Sequence, residues 1–152
     1  MRTLGNILWH FPFLGFIDAI LVYILGLLLT VTIVAAPVGR GLMEYGKFLF
    51  APYSRAMVAT KDLGIEHNLV WRVLSVLVMI LYLPFGAVLW LLTVVQIALL
   101  FVTIVGIPVA GVLAKSLGTY FNPVNKKCVP RAVAEEIERR GAQDYMARHV
   151  RD

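Results

Sequence analysis

Four polar side chains stand within long apolar stretches and could do chemistry there: Asn6, His10, Asp18 and Gln96. Asp18 is the only charged residue between positions 3 and 39, and a charge at the middle of a bilayer is costly enough to indicate a function. Two interpretations of Asp18 stand: an ion or proton site within the membrane, or a solvated residue at the tip of a helical hairpin. Gln96 is expected to form a hydrogen bond between helices, and the alternative is a polar lining of a pore.

Asn6 and His10 are four positions apart and therefore share one face of a helix. The pair is a candidate for the same pore or polar intramembrane site. The alternative is that it packs against another helix or anchors its own helix at the interface. His10 could bind a metal, but the sequence offers no second ligand beside it, so we predict no metal site.

Charged residues follow the apolar stretches at regular spacing. Arg40, Glu44 and Lys47 lie four and three positions apart, so they share a helical face and Glu44 can pair with either cation. Lys115 takes the place of Glu44 when the second half of the chain is aligned with the first. If the halves pack about a twofold axis, Glu44 and Lys115 are expected to meet at the interface. The alternative is a pair of interfacial helices whose charged side chains reach toward water.

The sequence offers no set of residues for catalysis. Its few hydroxyl and carboxyl groups are scattered, and no Ser-His-Asp or Cys-His arrangement can be nominated. The string "GRGLMEYG", which begins at Gly39, lacks the spacing and the terminal Lys-Ser/Thr of a phosphate loop. The single cysteine, Cys128, cannot form an intramolecular disulfide. We predict that the protein is not an enzyme and has no cofactor.

Composition indicates a membrane protein. Hydrophobic residues make up 60% of the 152 positions and charged residues 15%, and the mean hydropathy is +0.82. No charged residue occurs between positions 73 and 114, a run longer than the roughly 20 residues that one helix needs to cross a bilayer. The net charge of +5 fits basic loops beside membrane segments, so the lipid bilayer is the expected partner and nucleic acid is not.

The chain contains an internal repeat. Residues 32–58 align with residues 103–129 at nine identical positions, which include Pro37 with Pro108 and Pro52 with Pro123. Leu, Ile and Val are so common here that the two prolines carry most of the weight. The repeat predicts that both halves of the chain share one element order.

Proline and glycine divide each half into a short apolar arm and a longer one. The predicted arms cover residues 4–11, 16–35, 74–83 and 88–107. Helix breaks are predicted at Pro12, Pro37, Pro84 and Pro108. A single crossing per half would put the basic residues after the two halves on opposite sides of the membrane, against the positive-inside tendency. We therefore predict two tandem helical hairpins with about four membrane segments, the first of each pair being short or re-entrant.

The predicted fold is an all-α integral membrane protein in four parts. Residues 1–58 form the first membrane repeat, 59–71 a polar cytoplasmic linker, 72–129 the second membrane repeat, and 130–152 a cytoplasmic C-terminal helix and tail. Pro130 suits the first position of that last helix, and Gly141 suits its end.

Three short motifs resemble a known family. The strings are "NILW" at Asn6–Trp9, "PVGR" at Pro37–Arg40 and "GIP" at Gly106–Pro108; the latter two are followed about fifteen residues on by Pro52 or Pro123. In this order they resemble the duplicated inner-membrane domain of the YccF family, over about the first 129 residues. The resemblance implies a small multi-pass protein of the bacterial inner (plasma) membrane, and it implies no reaction. Combined with the charge pattern, it leads us to expect cytoplasmic N- and C-termini.

Two functions are compatible with these observations. The first is a non-catalytic structural or assembly component of the inner membrane. Small residues that allow close helix approach, namely Gly26, Gly106, Ala110 and Gly111, favour a homo-oligomer. The second is a small oligomeric channel or transporter for an ion or small solute, because internal repeats and proline-broken helices are typical of transporters that bind at the repeat interface.

Overall fold

The computed structural model of the chain describes residues 2–11 and 14–149. Six α-helices and two short strands are found within these residues, together with 3-10 turns at Thr60–Leu63 and Ile104–Gly106. In chain order the elements are α1 (Arg2–His10), α2 (Gly15–Val31), α3 (Ala36–Leu49), β1 (Arg55–Ala59), α4 (Leu69–Phe101), α5 (Ile107–Phe121), β2 (Lys126–Pro130) and α6 (Arg131–His149).

The fold is mostly helical, as predicted, but it is not all-α. Strands β1 and β2 pair antiparallel, with Arg55 opposite Pro130 and Ala59 opposite Lys126. Each end of β2 lies 71 positions after the corresponding end of β1, so the strands occupy equivalent places in the two halves. Two paired strands of five residues each are only marginally stable on their own. Their pairing depends on the helices that bring them together, which a local sequence pattern does not reveal.

The first half is broken between α1 and α2. Leu14 adopts a left-handed conformation with φ of 54° immediately before α2 begins at Gly15. Pro12, where a break was predicted, lies outside the described residues. The chain therefore separates the short first helix from the longer apolar one close to the predicted position.

The second half is not broken at the corresponding place. Pro84 lies inside α4, which runs through 33 residues from Leu69 to Phe101. The predicted break at Pro84 is therefore wrong. One continuous helix replaces the two predicted arms, 74–83 and 88–107, and it ends before residue 107. Proline removes a single backbone hydrogen bond, and the rest of a long apolar helix can accommodate this loss. Pro84 is also exposed, so its ring does not force a neighbouring element away.

The tightest helical pairing joins α2 to α3, not the two arms of the predicted hairpin. A Cβ built on Gly26 would lie 2.7 Å from the Gly39 carbonyl oxygen, and one on Gly39 would lie 2.6 Å from the Gly26 carbonyl oxygen. Only glycine permits this approach of two backbones. Pro37 and Pro108 lie in the first turns of α3 and α5, where the missing N–H group of proline costs nothing.

Two apolar clusters join the halves of the chain. The larger one contains one residue each from α1 and α2, residues from the end of α3, and residues from the start of α5; its buried members are Trp9, Ala19, Tyr45, Phe48, Leu49, Val109, Val112 and Leu113. The smaller one joins Val38 of α3 to Val78 of α4 and Val124. The first helix of each half thus packs against the helix that precedes the strand of the other half.

Helix α4 is the one helix among residues 2–11 and 14–149 that is long and apolar enough to cross a membrane. At about 1.5 Å per residue it is about 50 Å long, more than the roughly 30 Å of a hydrocarbon core. Helix α2, with 17 residues, is apolar but shorter. Much of the surface of both helices is exposed and apolar, including Leu21, Leu28, Leu81 and Leu92.

Candidate functional site: the interhelical cavity and its polar neighbours

Asp18 and Gln96 line the same cavity, although they come from different halves of the chain. This interhelical cavity has a volume of about 390 Å³ and lies among α1, α2, α3, α4 and α5. Both polar side chains are exposed in a single copy of the chain. The lining residues are Trp9, Asp18, Leu21, Val22, Leu49, Gln96, Leu100, Val109, Leu113 and Tyr120.

Two tyrosines, which the sequence analysis did not single out, lie on the inner side of this cavity. Tyr120 lines it, and the ring of Tyr45 meets the ring of Tyr120 edge-on with 5.1 Å between centroids. Tyr45 is 1% exposed. The cavity therefore combines a carboxylate, an amide and a phenol with apolar walls, a composition that suits a cation or a small polar solute. A tyrosine within an amphipathic helix was the available signal, and it does not distinguish a cavity from ordinary packing.

Asn6 and His10 do not line the cavity. Their side chains form hydrogen bonds that hold α1 against the end of α3. Asn6 Nδ2 donates to Ser54 Oγ at 3.0 Å, and Asn6 Oδ1 accepts from the backbone N–H of Tyr53 at 3.1 Å. His10 Nε2 lies 2.9 Å from the carbonyl oxygen of Phe50.

Trp9 completes this α1 anchor, which we define as Asn6, Trp9 and His10. Its indole N–H donates to the carbonyl oxygen of Leu49 at 2.9 Å, and the side chain is 3% exposed. Trp9 and His10 thus satisfy two carbonyl groups at the end of α3 that have no partner within a helix. The partners of Asn6 and His10 lie just after α3 ends at Leu49, and both interpretations of this pair stay predictions.

Three of the four predicted interface charges, Arg40, Glu44 and Lys115, contact the other half of the chain, but Glu44 and Lys115 do not form an ion pair with each other. Glu44 Oε1 lies 2.6 Å from Lys47 Nζ, and Glu44 Oε2 accepts from the backbone N–H of Cys128 at 2.9 Å. Lys115 Nζ lies 6.0 Å from the ring centroid of Tyr53. Glu44 and Lys115 thus each contact the other half of the chain through a different partner.

Arg40 pairs with an aromatic ring and not with Glu44. Its guanidinium carbon lies 4.5 Å from the centroid of the Trp71 ring, near the start of α4. A guanidinium over an indole face is a favourable cation–π contact. Arg40 therefore links the start of α3 to the start of α4.

Cys128 faces Met57 in the centre of the sheet. Burial raises the pKa of its thiol, while the neighbouring Arg55 guanidinium opposes that rise. A thiol that is protonated at neutral pH is a poor nucleophile. Among residues 2–11 and 14–149, no group of three His, Cys, Asp or Glu side chains could hold a metal ion.

Taken together, the fold and these contacts define a mostly helical protein that contains a helix long and apolar enough to cross a membrane. Residues 4–55 match the YccF family model, which is described as an inner membrane component domain. This match confirms the resemblance to the YccF family over those residues, and the family description indicates an inner membrane component. The resemblance of residues 72–129 stays a prediction. Comparisons with curated proteins and with solved structures gave no match.

Proposed function

We propose that this chain is a non-catalytic, oligomeric structural or assembly component of the inner membrane. The observation that carries the proposal is the exposed apolar surface of α4, because only 18% of its most apolar window is buried within one copy. Such a surface must be covered by lipid or by another protein. The two halves of the chain pack against each other and share the two-stranded sheet, which holds α4 and its exposed surface in place.

The four small residues named above are a poor basis for the oligomer. Gly26 faces Gly39, Gly106 lies against the Leu100 carbonyl, and Ala110 is fully buried within the chain. Gly111 alone among them has open space where a Cβ would stand. The proposed interface therefore uses large side chains of α4, among them Leu81, which is 70% exposed.

The proposed topology is multi-pass, with both ends of the chain on the cytoplasmic side. Three observations support it: β1 pairs with β2, Asn6 of α1 bonds to Ser54 beside β1, and α6 follows β2 directly. The N-terminal helix, the linker and the tail thus gather at one side of the molecule. Basic residues are concentrated around that sheet, including Arg55, Lys126 and Lys127, as is typical of a cytoplasmic face.

Disulfide cross-linking in native membranes tests the oligomer. In a Cys128→Ser background, single cysteines at exposed positions of α4, such as Leu81→Cys and Leu92→Cys, are expected to give covalent dimers on oxidation. Tyr145→Cys on the exposed helix α6 is the matched control and is expected to give fewer. Absence of dimers at every exposed α4 position, with a monomeric mass in lipid particles, would rule the oligomer out.

A second function, a path for an ion or small solute at the interface between the halves, is favoured by the interhelical cavity. Asp18 of α2 and Gln96 of α4 are far apart in sequence, yet they line one cavity. Side chains that would be costly in lipid are expected to converge where they line a polar path.

Flux through reconstituted vesicles distinguishes this second function from the first. Asp18→Asn and Gln96→Leu should reduce any flux, whereas Asp62→Asn in the exposed turn before α4 should leave it unchanged. Vesicles that stay tight under every ion gradient would exclude the path and leave the structural role.

A further inference from the structure

A groove beside the linker is lined by hydrogen-bond donors that nothing described so far requires. It has a volume of about 560 Å³ and lies between residues 59–67, the first turns of α4 and the end of α5. We name it the linker groove and define it by Lys61, Arg72, Ser75, Asn122 and Lys126. A smaller cavity of about 230 Å³ adjoins it and shares Lys126 with it.

The charges of the linker groove are mainly positive. Lys61, Arg72 and Lys126 line it, and Glu66 is the one carboxylate among its lining residues. Lys126 Nζ also donates to the Gly118 carbonyl at 2.7 Å, and burial lowers the pKa of this ammonium group. A second anionic group in the groove would therefore be attracted by Lys61 and Arg72, and it would favour the charged form of Lys126.

Ser75 supplies an independent indication of a ligand. The residue is 1% exposed, it lines the groove, and its hydroxyl has no hydrogen-bond partner among the described residues. In the adjoining cavity, the buried indole nitrogen of Trp71 likewise has no partner within the described part of the chain. A buried polar group without a partner costs stability, so each such group in a folded protein requires an explanation. Two unsatisfied donors beside a basic groove are explained by an acceptor that enters from outside.

The start of α4 adds a fixed positive potential at the same place. Asn68 makes no capping hydrogen bond, and the first turn of the helix carries no acidic residue. The free N–H groups and the dipole of a helix N-terminus favour an anion. The N-terminus of α4 thus adds to the positive potential near Arg72, which lines the groove.

The walls of the groove indicate which anion fits. Three apolar side chains, Val76 and Met79 of α4 and Val124, also line the groove. Val76 is 49% exposed, and the neighbouring Leu77 and Ile80 are each 60% exposed, so the apolar wall continues onto the outer surface of α4. An amphiphile with a charged head and an apolar tail matches both parts, whereas a free anion would use only the first.

We propose that the linker groove binds the phosphate group of an anionic phospholipid, with the head beside Arg72 and Ser75 and an acyl chain along α4. Basic pockets between membrane helices on the cytoplasmic side are suited to anionic headgroups. Free phosphate offers the same head chemistry, and the experiment separates the two sources.

The test measures binding to the purified full chain in an uncharged detergent by titration calorimetry. The probes are short-chain phosphatidylglycerol, short-chain phosphatidylcholine and inorganic phosphate. The expected order is phosphatidylglycerol first, with Arg72→Gln weakening it about tenfold and Ser75→Ala about threefold to tenfold. Arg139→Gln, on the exposed face of α6, is the matched control and should change nothing.

A structural role of Ser75 is separated by the melting temperature of the lipid-free protein. Because the hydroxyl has no partner, Ser75→Ala should leave that temperature unchanged or raise it while binding weakens. Equal binding of phosphatidylcholine and phosphatidylglycerol, or wild-type affinity in both variants, overturns the proposal. Inorganic phosphate that binds as tightly as phosphatidylglycerol, with the same dependence on Arg72 and Ser75, overturns the lipid as the source and retains the phosphate chemistry.

Discussion

The two halves of the molecule, residues 2–59 and 69–130, differ most in their first helices. Residues 2–31 form α1 and α2 with a break between them, whereas residues 69–101 form the single helix α4. Beyond that point the halves run alike, since α3 and α5 each begin at a proline turn and each lead into one strand of the sheet.

The difference follows from which side chains the first helix carries. In the first half, the side chains of Asn6, Trp9 and His10 form hydrogen bonds at the end of α3. Helix α1 therefore stays packed against α3 despite the break. The residues 71 positions further on are Leu77, Ile80 and Leu81, whose side chains cannot form hydrogen bonds. Instead, Tyr82 donates to the Tyr120 carbonyl at 3.2 Å from within a continuous helix. A proline alone thus does not decide whether a helix breaks; the contacts available on each side do.

Removal of the Trp9 side chain should have the largest effect. Trp9→Ala deletes a buried ring that packs against Gly15 and leaves the Leu49 carbonyl without its donor. We expect a loss of about 3–5 kcal/mol in the free energy of unfolding, measured by denaturant titration in micelles. Trp90→Ala is the control, because Trp90 is 40% exposed on α4. Equal losses in both variants would contradict the anchoring role of Trp9.

Replacement of Pro84 tests the continuity of α4. Pro84→Ala restores one backbone N–H within the helix, so stability should rise by up to about 3 kcal/mol. Pro108→Ala, in the first turn of α5, should change little, because the N–H at that position has no helical partner. Thermal unfolding monitored by circular dichroism measures both. A loss of stability in Pro84→Ala would show that Pro84 forms a bend.

Glycine substitutions compare the packing of α3 with that of α5. An added methyl group at Gly39 would lie 2.6 Å from the backbone nitrogen of Thr30 and the carbonyl oxygen of Gly26, so Gly39→Ala should lose about 1–3 kcal/mol. Gly111 in α5 has open space, so Gly111→Ala should gain about 0.5–1 kcal/mol from helix propensity. Unfolding titrations that gave the same sign for both would refute the closer packing of the first half.

A smaller loss is expected when the polar contacts of α1 are removed while its length is kept. Asn6→Leu copies the residue at the equivalent position of α4 and deletes the bonds to Ser54 and Tyr53, which should cost about 1–2 kcal/mol. Faster amide exchange of Tyr53 is the specific readout. Asn68→Leu is the control, since Asn68 makes no capping bond. Unchanged exchange at Tyr53 in Asn6→Leu would argue against the anchor.

The tail helix α6 provides a reference outside both halves and should respond least. Arg139 and Arg140 hold the pKa of Glu136 at about 2, below its ordinary value of 4.5. A lowered folded pKa means that this contribution is present above pH 4.5 and is lost as the pH falls toward 2. Amide exchange in α6 should therefore accelerate over this interval in the wild type and less so in Glu136→Gln. An equal acceleration in the variant would exclude Glu136 as the cause.

The sequence predicted what depends on short-range pattern. The apolar runs follow from composition, and the turns before Pro37 and Pro108 follow from local proline chemistry. The family resemblance over residues 4–55 came from short motifs such as "NILW" and "PVGR". The continuity of α4 could not be read from "PFG", because it depends on which partners the flanking arms find. The sheet was missed for a similar reason, since five-residue strands show their pairing only after the helices are packed.

The candidate sites show the same limit. Asp18 and Gln96 could be chosen as unusual residues, but their common cavity depends on how α2 and α4 approach each other. Glu44 was paired with Lys115 on the assumption that equivalent positions meet. Met57 does face Cys128, 71 positions further on, but Glu44 and Lys115 each have another partner.

The pairing of β1 with β2 has a consequence for biosynthesis. The ribosome synthesises residues 55–59 long before residues 126–130, with which they pair. The apolar cluster around α1 likewise forms only after the start of α5 has been synthesised. Contacts this distant in sequence close late, because the intervening chain must first be ordered. Most of the polypeptide must therefore be synthesised before its first helix acquires its final environment, and a nascent chain stalled before residue 107 would expose both β1 and the inner face of α1 to chaperones and proteases.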